Sequence, residues 1–105
     1  MTKDEIQKSI TENKIVLFIK GVPQAPACGF SHKVCLILNA LDVDFTSFNV
    51  LEDDTLRQNI KEYSEWPTIP QLYVDGEFVG GCDIVMDMYQ DGSLKELIED
   101  ENAKT

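Results

Sequence analysis

Ile15-Val16-Leu17-Phe18-Ile19, followed by Lys20-Gly21-Val22-Pro23-Gln24-Ala25-Pro26-Ala27-Cys28-Gly29-Phe30-Ser31, is the stretch from which the rest of the chain can be read. Five consecutive apolar residues of strand length predict a central strand covered on both faces. Lys20 ends that run. The loop beyond it holds Gly21, Pro23, Pro26 and Gly29; two prolines this close do not fit a helix interior, and Gly21 permits a tight bend. Helical spacing resumes through Phe30, Val34, Cys35, Leu38 and Leu41.

Upstream, Thr2 and Glu5 form a candidate capping box for a first helix, with Ile6 and Ile10 on one face and Asn13 and Lys14 at its end. Downstream, Phe45 to Val50 reads as a second strand. The acids Glu52, Asp53 and Asp54 precede a helical phase through Leu56, Ile60 and Tyr63, where they suit the positive end of the helix dipole. Trp66-Pro67-Thr68-Ile69-Pro70 breaks that helix. Gln71 to Val74 and Glu77 to Val79 flank Asp75-Gly76, a strong hairpin-turn signal. After Gly80-Gly81, Asp83 is expected to cap a helix carrying Val85, Met86 and Tyr89. Asp91-Gly92 separates it from a last helical stretch through Leu94, Leu97 and Ile98, and the polar residues 99–105 are expected to fray. The order is helix, strand, helix, strand, helix, strand, strand, helix, helix. It predicts a small α/β sandwich around a mixed four-stranded sheet.

At 105 residues and 11.9 kDa the chain makes one domain. Surface scaling predicts that folding buries about two-thirds of the surface of the unfolded chain, enough for a core without disulfide staples. Nine Lys plus Arg against 19 Asp plus Glu leave a net charge of −10, which argues against nonspecific nucleic-acid binding and adsorption to anionic membranes. The N-terminal residues carry no secretory signal and no stretch approaches a membrane span. Three cysteines, an odd number, exclude a fully paired secreted scaffold and favour a reducing interior. Cytoplasm is the default expectation; a mitochondrial matrix would look the same had an import peptide been removed.

Cys28 stands just before a helical run, where unpaired amides and the helix dipole stabilise an anion, so a lowered thiol pKa is expected. Lys20, across the loop, can add a positive charge, and Gly29 leaves approach to the sulfur open. A plainer reading makes Cys28 an ordinary buried cysteine. Cys35, two helical turns on beside Val34 and Leu38, reads as packing, with a disulfide or glutathionylation role as the alternative. Cys82 can approach a ligand in the loops or simply fill a tight turn.

Other chemistries lack their motifs. The cysteine spacings do not contain the short pairs of common zinc sites, and His32 is the only histidine. No nucleophile elbow marks a serine hydrolase, and Gly76-Glu77-Phe78-Val79-Gly80-Gly81 lacks the phosphate-loop pattern.

Lys20-Gly21 with Pro23 and Pro26, then Cys28-Gly29-Phe30-Ser31, resembles the active-site loop of the monothiol glutaredoxins, whose signature is Cys-Gly-Phe-Ser. The segments Trp66 to Val74 and Gly80-Gly81-Cys82-Asp83-Ile84 match the same family, and the likeness runs from about residue 4 to 100. It implies the thioredoxin fold and a cis Pro70 presenting backbone polar groups to glutathione. It implies that Lys20 and Arg57, with Lys61 nearby, meet the glycine carboxylate. Phe30, Thr68 and Ile69 would flank the ligand, while Gly81, Cys82 and Asp83 would receive its γ-glutamyl end. Each also has a plainer reading: Arg57 and Lys61 as a solvated helix face, Lys20 as a strand end, Asp83 as a cap, and Trp66 as a packing anchor.

Dithiol exchange needs a second thiol near Cys28, and Ser31 stands three residues on, able to donate a hydrogen bond but unable to resolve a disulfide. The resemblance implies glutathione-dependent binding of a [2Fe–2S] cluster. Two Cys28 thiolates from a homodimer and two glutathiones would provide its four ligands. Transfer to iron–sulfur acceptor proteins, and a heterodimer with a BolA-like protein, are implied likewise. The alternative is a monothiol–disulfide oxidoreductase that removes glutathione from proteins, at most a weak enzyme. A structural domain with an inert Cys28 is the third possibility.

Overall fold

The structure is a computed structural model that describes residues 1–99. The expected order is present: α1 (Lys3–Glu12), β1 (Ile15–Ile19), α2 (Gly29–Ala40), β4 (Thr46–Asn49), α3 (Asp54–Ser64), β5 (Gln71–Val74), β6 (Glu77–Gly80), α4 (Cys82–Asp91) and α5 (Ser93–Glu99). One element was not legible. The loop after β1 folds back as a two-residue ribbon, β2 (Gly21–Val22) against β3 (Ala25–Pro26). Glu99, expected in the fraying tail, closes α5; the rest of that tail lies outside the described residues.

All five residues of β1 are buried. The strand sits between parallel β4 and antiparallel β5, with β6 antiparallel beyond, in the order β4-β1-β5-β6. This mixed sheet flanked by helices is the thioredoxin-like fold. Alternation along β1 feeds two cores. Ile15, Leu17 and Ile19 pack with Val34, Leu38, Val85, Leu94 and Ile98 of α2, α4 and α5. Val16 and Phe18 pack with Ile6, Ile10, Leu56 and Ile60 of α1 and α3. On that second side Phe18 stacks on Phe48 at 5.4 Å and meets Tyr73 edge-on at 5.6 Å. Tyr73 in turn touches Phe78 at 5.3 Å, and Phe78 lies 5.9 Å from Trp66. Such pairs each contribute about 1 kcal/mol beyond area burial. They make an aromatic path from the centre of the core to the Trp66–Pro70 loop.

The caps follow local chemistry. Thr2 and Glu5 close the expected capping box on α1, whose last turn ends at Asn13. Asp53 caps α3 by accepting from the Leu56 amide at 3.0 Å. The expected cap on α4 is corrected: Gly81, extended and without a side chain, is the N-cap, and the Val85 amide already donates to its carbonyl. Asp83 falls inside the first turn, where its charge still suits the dipole. Two residues read as helix-face apolars are also exposed, Phe30 at 59% and Tyr89 at 40%.

The β2–β3 ribbon leaves no room for a side chain at Gly21. Its φ is +94°, and a Cβ there would lie 2.7 Å from the Ala27 nitrogen and 2.8 Å from the Ala25 oxygen. The Gly21 amide donates to Asn49 Oδ1 at 2.9 Å, and Ala27 donates to the Lys20 carbonyl at 2.8 Å. Gly21→Ala should therefore cost about 2 kcal/mol of stability. Urea unfolding should show a lower midpoint at unchanged slope; an unchanged midpoint would mean that the loop yields without cost.

Candidate functional site

Cys28 is the N-cap of α2, half-buried, with the Ser31 amide donating to its sulfur at 3.4 Å. The Ser31 hydroxyl lies 3.2 Å from the same sulfur. Ser31 is fully buried, and its oxygen also accepts the Lys20 amide at 3.1 Å. Because that amide holds the oxygen from behind, the hydroxyl proton can turn to the sulfur once Cys28 ionises. Burial pushes the Cys28 thiol up. The hydrogen bonds from the Ser31 hydroxyl, the Ser31 amide and the Phe30 amide, with the Lys20 charge, outweigh it and hold the pKa below the ordinary thiol value.

The other thiols are of a different kind. Cys35 is 2% exposed in the core between α2 and the sheet, and burial raises its pKa. Cys82 is 8% exposed, and its pKa is raised by burial first, then by the Asp83 and Cys28 charges, against the opposing Lys33. One cysteine is thus poised as a nucleophile, and two are held as thiols.

A cavity of about 390 Å³, within the size range of small-ligand sites, opens against the loop that carries Cys28, lined from that loop by Lys20 and Phe30 and not by Cys28 itself. Lys20 and Phe30 come to it from the two ends of the Cys28 loop, and Lys61 comes from α3. Trp66, Pro67, Thr68, Ile69 and Pro70 form one wall, with the Ile69–Pro70 peptide cis. Gly81, Cys82, Asp83 and Ile84 complete it at the start of α4, whose first amides have no side-chain cap. Gly81 packs close here: a Cβ would meet the Pro70 oxygen at 3.3 Å and Trp66 Nε1 at 3.4 Å. Arg57 stands apart from this cavity. It lies with Lys61, Asp54, Gln58 and Glu62 in a shallow depression along α3, so Lys61, the lesser candidate from sequence, is the cation that reaches the cavity wall.

Two buried polar residues, Ser31 and Gln71, shape the site. Ser31, expected as a hydrogen-bond donor in place of a second thiol, is also the buried link between Lys20 and Cys28. Gln71 is fully buried at the start of β5. Its amide donates to the carbonyls of Trp66 at 3.1 Å and Thr68 at 3.3 Å, while its oxygen accepts from the Tyr73 hydroxyl at 3.2 Å. The cavity wall is thereby tied to the core. A glutamine inside an otherwise apolar strand, directly after a Pro-Thr-Ile-Pro loop, was the available signal.

Fold and site together define a thioredoxin-fold thiol protein whose low-pKa cysteine sits in a loop that flanks a small-ligand cavity. The family model described as glutaredoxin matches residues 15–79. A probable monothiol glutaredoxin 2 of Rickettsia typhi is 55% identical over 96 residues, covering 91% of this chain and 86% of the relative. The solution structure of a monomeric truncated mutant of Trypanosoma brucei 1-C-Grx1 superposes with TM-score 0.88 at 46% identity, covering 96% of this chain and 92% of that one. That of reduced poplar apo GrxS14 gives 0.81 at 52% identity, over 92% and 89% of the two chains. The chain belongs to the glutaredoxin family, in its monothiol class.

Alkylation should separate the thiols. Iodoacetamide at neutral pH should label Cys28 in the folded protein and reach Cys35 only on unfolding. Ser31→Ala removes one hydrogen bond to the thiolate and should slow Cys28 labelling at pH 7 by about three- to tenfold, while an unchanged rate would deny the hydroxyl its role. Gln71→Leu leaves the Tyr73 hydroxyl and two loop carbonyls without their partner, and should cost about 2–3 kcal/mol in urea unfolding.

Proposed function

We propose that this protein is a glutathione-dependent carrier of [2Fe–2S] clusters, serving iron–sulfur assembly or iron homeostasis. The observation that carries the reading is the pairing of one low-pKa thiolate with a cavity whose polar groups suit a tripeptide bearing two carboxylates and one amine. Lys20 and Lys61 suit the glycine carboxylate. The uncapped amides at the start of α4 suit the γ-glutamyl carboxylate, and Asp83 suits the neighbouring amine. Backbone groups beside cis-Pro70 remain for the peptide itself.

The cluster is cargo rather than a resident group. Among the described residues no three His, Cys, Asp or Glu side chains come together to hold a metal. Membership of the monothiol class implies a four-ligand cluster shared by two chains and two glutathiones, with Cys28 as each chain's own ligand. Phe30, Ile84 and Trp66 stand exposed around the cavity and supply apolar surface for such a partner. A BolA-like protein in place of the second copy is an alternative partner on the same face. Two of the four ligands are exchangeable molecules, which suits transfer to acceptor proteins. A reducing compartment, the cytoplasm or a mitochondrial matrix, keeps the thiols available.

The depressed Cys28 pKa also favours a second reading, glutathione-dependent disulfide reduction. The Cys28 thiolate attacks the glutathione sulfur of a protein mixed disulfide, and the protein thiolate leaves. A second glutathione thiolate then attacks that sulfur, releasing Cys28 and forming glutathione disulfide. Ser31 offers no resolving thiol, so this activity is weak beside the carrier role.

Anaerobic reconstitution with iron, sulfide and glutathione tests the preferred reading. One cluster per dimer on size-separated fractions, lost without glutathione and lost in Cys28→Ser, is expected. A folded protein that assembles no glutathione-dependent cluster would instead support the oxidoreductase. Lys20→Glu reverses the charge facing the carboxylate and should weaken glutathione binding about tenfold or more; unchanged affinity would remove Lys20 from the site.

A further inference from the structure

β1 and β4 run side by side until Ile19 faces Asn49, the last residue of each strand. Beyond that rung they part, β1 into the loop that carries Cys28 and β4 into the turn before α3. The side chain of Asn49 catches both exits. Its Oδ1 accepts the Gly21 amide at 2.9 Å and the Leu51 amide at 2.9 Å. The Leu51 amide lies in an exposed turn where water can replace the bond, whereas the Gly21 bond is partly buried.

That bond completes a chain of fixed peptide groups leading to the sulfur. The Ile19–Lys20 peptide is held at both ends: its carbonyl accepts the Val50 amide at 2.9 Å, and its N–H donates to Ser31 Oγ at 3.1 Å. The Lys20–Gly21 peptide is also held at both ends, its carbonyl by the Ala27 amide at 2.8 Å and its N–H by Asn49. Glycine restricts its own backbone least of all residues, and Gly21 sits at φ +94°. Without an outside acceptor, the Lys20–Gly21 peptide is free to swing about its remaining bond to Ala27. Lys20 is shared by both peptides, so its amide would then drift from Ser31. We propose that Asn49 is a positioning residue for the Cys28 thiolate: its oxygen holds the Lys20–Gly21 peptide so that the Lys20 amide stays on Ser31 Oγ and the Ser31 hydroxyl stays on the sulfur. Cluster binding and disulfide exchange both need that thiolate, so the role of Asn49 is the same under either.

Iodoacetamide labelling of Cys28 over a pH series, in the protein without glutathione, tests this independently of the proposed function. Asn49→Ala should move the labelling midpoint up by about half a pH unit and slow labelling at pH 7 about threefold. The direction follows from the site: the thiol pKa is held low by hydrogen bonds to the anion, and loosening them lets it rise. The rates should converge at high pH, where the sulfur is ionised in both proteins. Asn49→Asp retains an acceptor oxygen and should restore the wild-type midpoint. In a Ser31→Ala background, Asn49→Ala should slow labelling no further, because the path to the sulfur is already cut. A lower urea midpoint with the labelling midpoint unmoved would make Asn49 a residue of the fold alone and overturn the proposal. An undiminished effect in the Ser31→Ala background would overturn it as well, since Asn49 would then act by another route. Should Asn49→Ala fail to fold, Asn49→Ser, whose shorter side chain withdraws the acceptor from Gly21, is held to the same outcomes.

Discussion

β1 has no side that faces water, and the arrangement of the site follows from that burial. Five buried residues in a row demand cover on both faces, so helices must pack above and below the strand. The chain cannot leave the sheet until the first residue that tolerates solvent, and that residue is Lys20. Its backbone amide is then already at the Ser31 hydroxyl, which is already at the Cys28 sulfur. The reactive thiol is therefore positioned from the core outward, by a strand end, a buried hydroxyl and a helix N-terminus in series.

The opposite wall is built on the same logic with different chemistry. β5 is the second wholly buried strand, and it admits one polar side chain, Gln71. A carboxamide in that position must satisfy both its donors and its acceptor internally. It does so by gripping two carbonyls of the 66–70 loop and the hydroxyl of Tyr73. Burial raises the Tyr73 phenol to about 12, so it stays a neutral donor to Gln71 throughout the working range of the protein. The cavity thus stands between two segments, each fastened to a buried strand by a single polar residue.

Much of this was legible from residue types alone. Apolar runs against turn signals marked β1 and the β5–β6 hairpin, and the Thr2–Glu5 box marked the start of α1. Cys28 before a helical phase was enough to anticipate an anion-stabilised thiol. What escaped notice depends on distance rather than pattern. The β2–β3 ribbon is too short for a periodicity to show. The start of α4 at Gly81 is set by packing against Pro70 and Trp66, which no local rule encodes. Arg57 and Lys61 are one turn apart on α3 and alike in charge, so only the helix orientation separates the one at the cavity from the one beyond it. Phe30 has the spacing of a core residue, yet it lies a turn too early to reach the core.

Gln71 has a further consequence for how the molecule opens. A binding loop that merely lay on the surface would flicker loose on its own, far below the free energy of global unfolding. Here the loop carbonyls are held by a side chain rooted in a buried strand, and Trp66 rests on an aromatic path that runs back to Phe18. Loop and core form one cooperative unit. A ligand held in the cavity is then coupled to the whole fold, and its binding free energy appears as resistance of the entire domain to hydrogen exchange and to proteolysis.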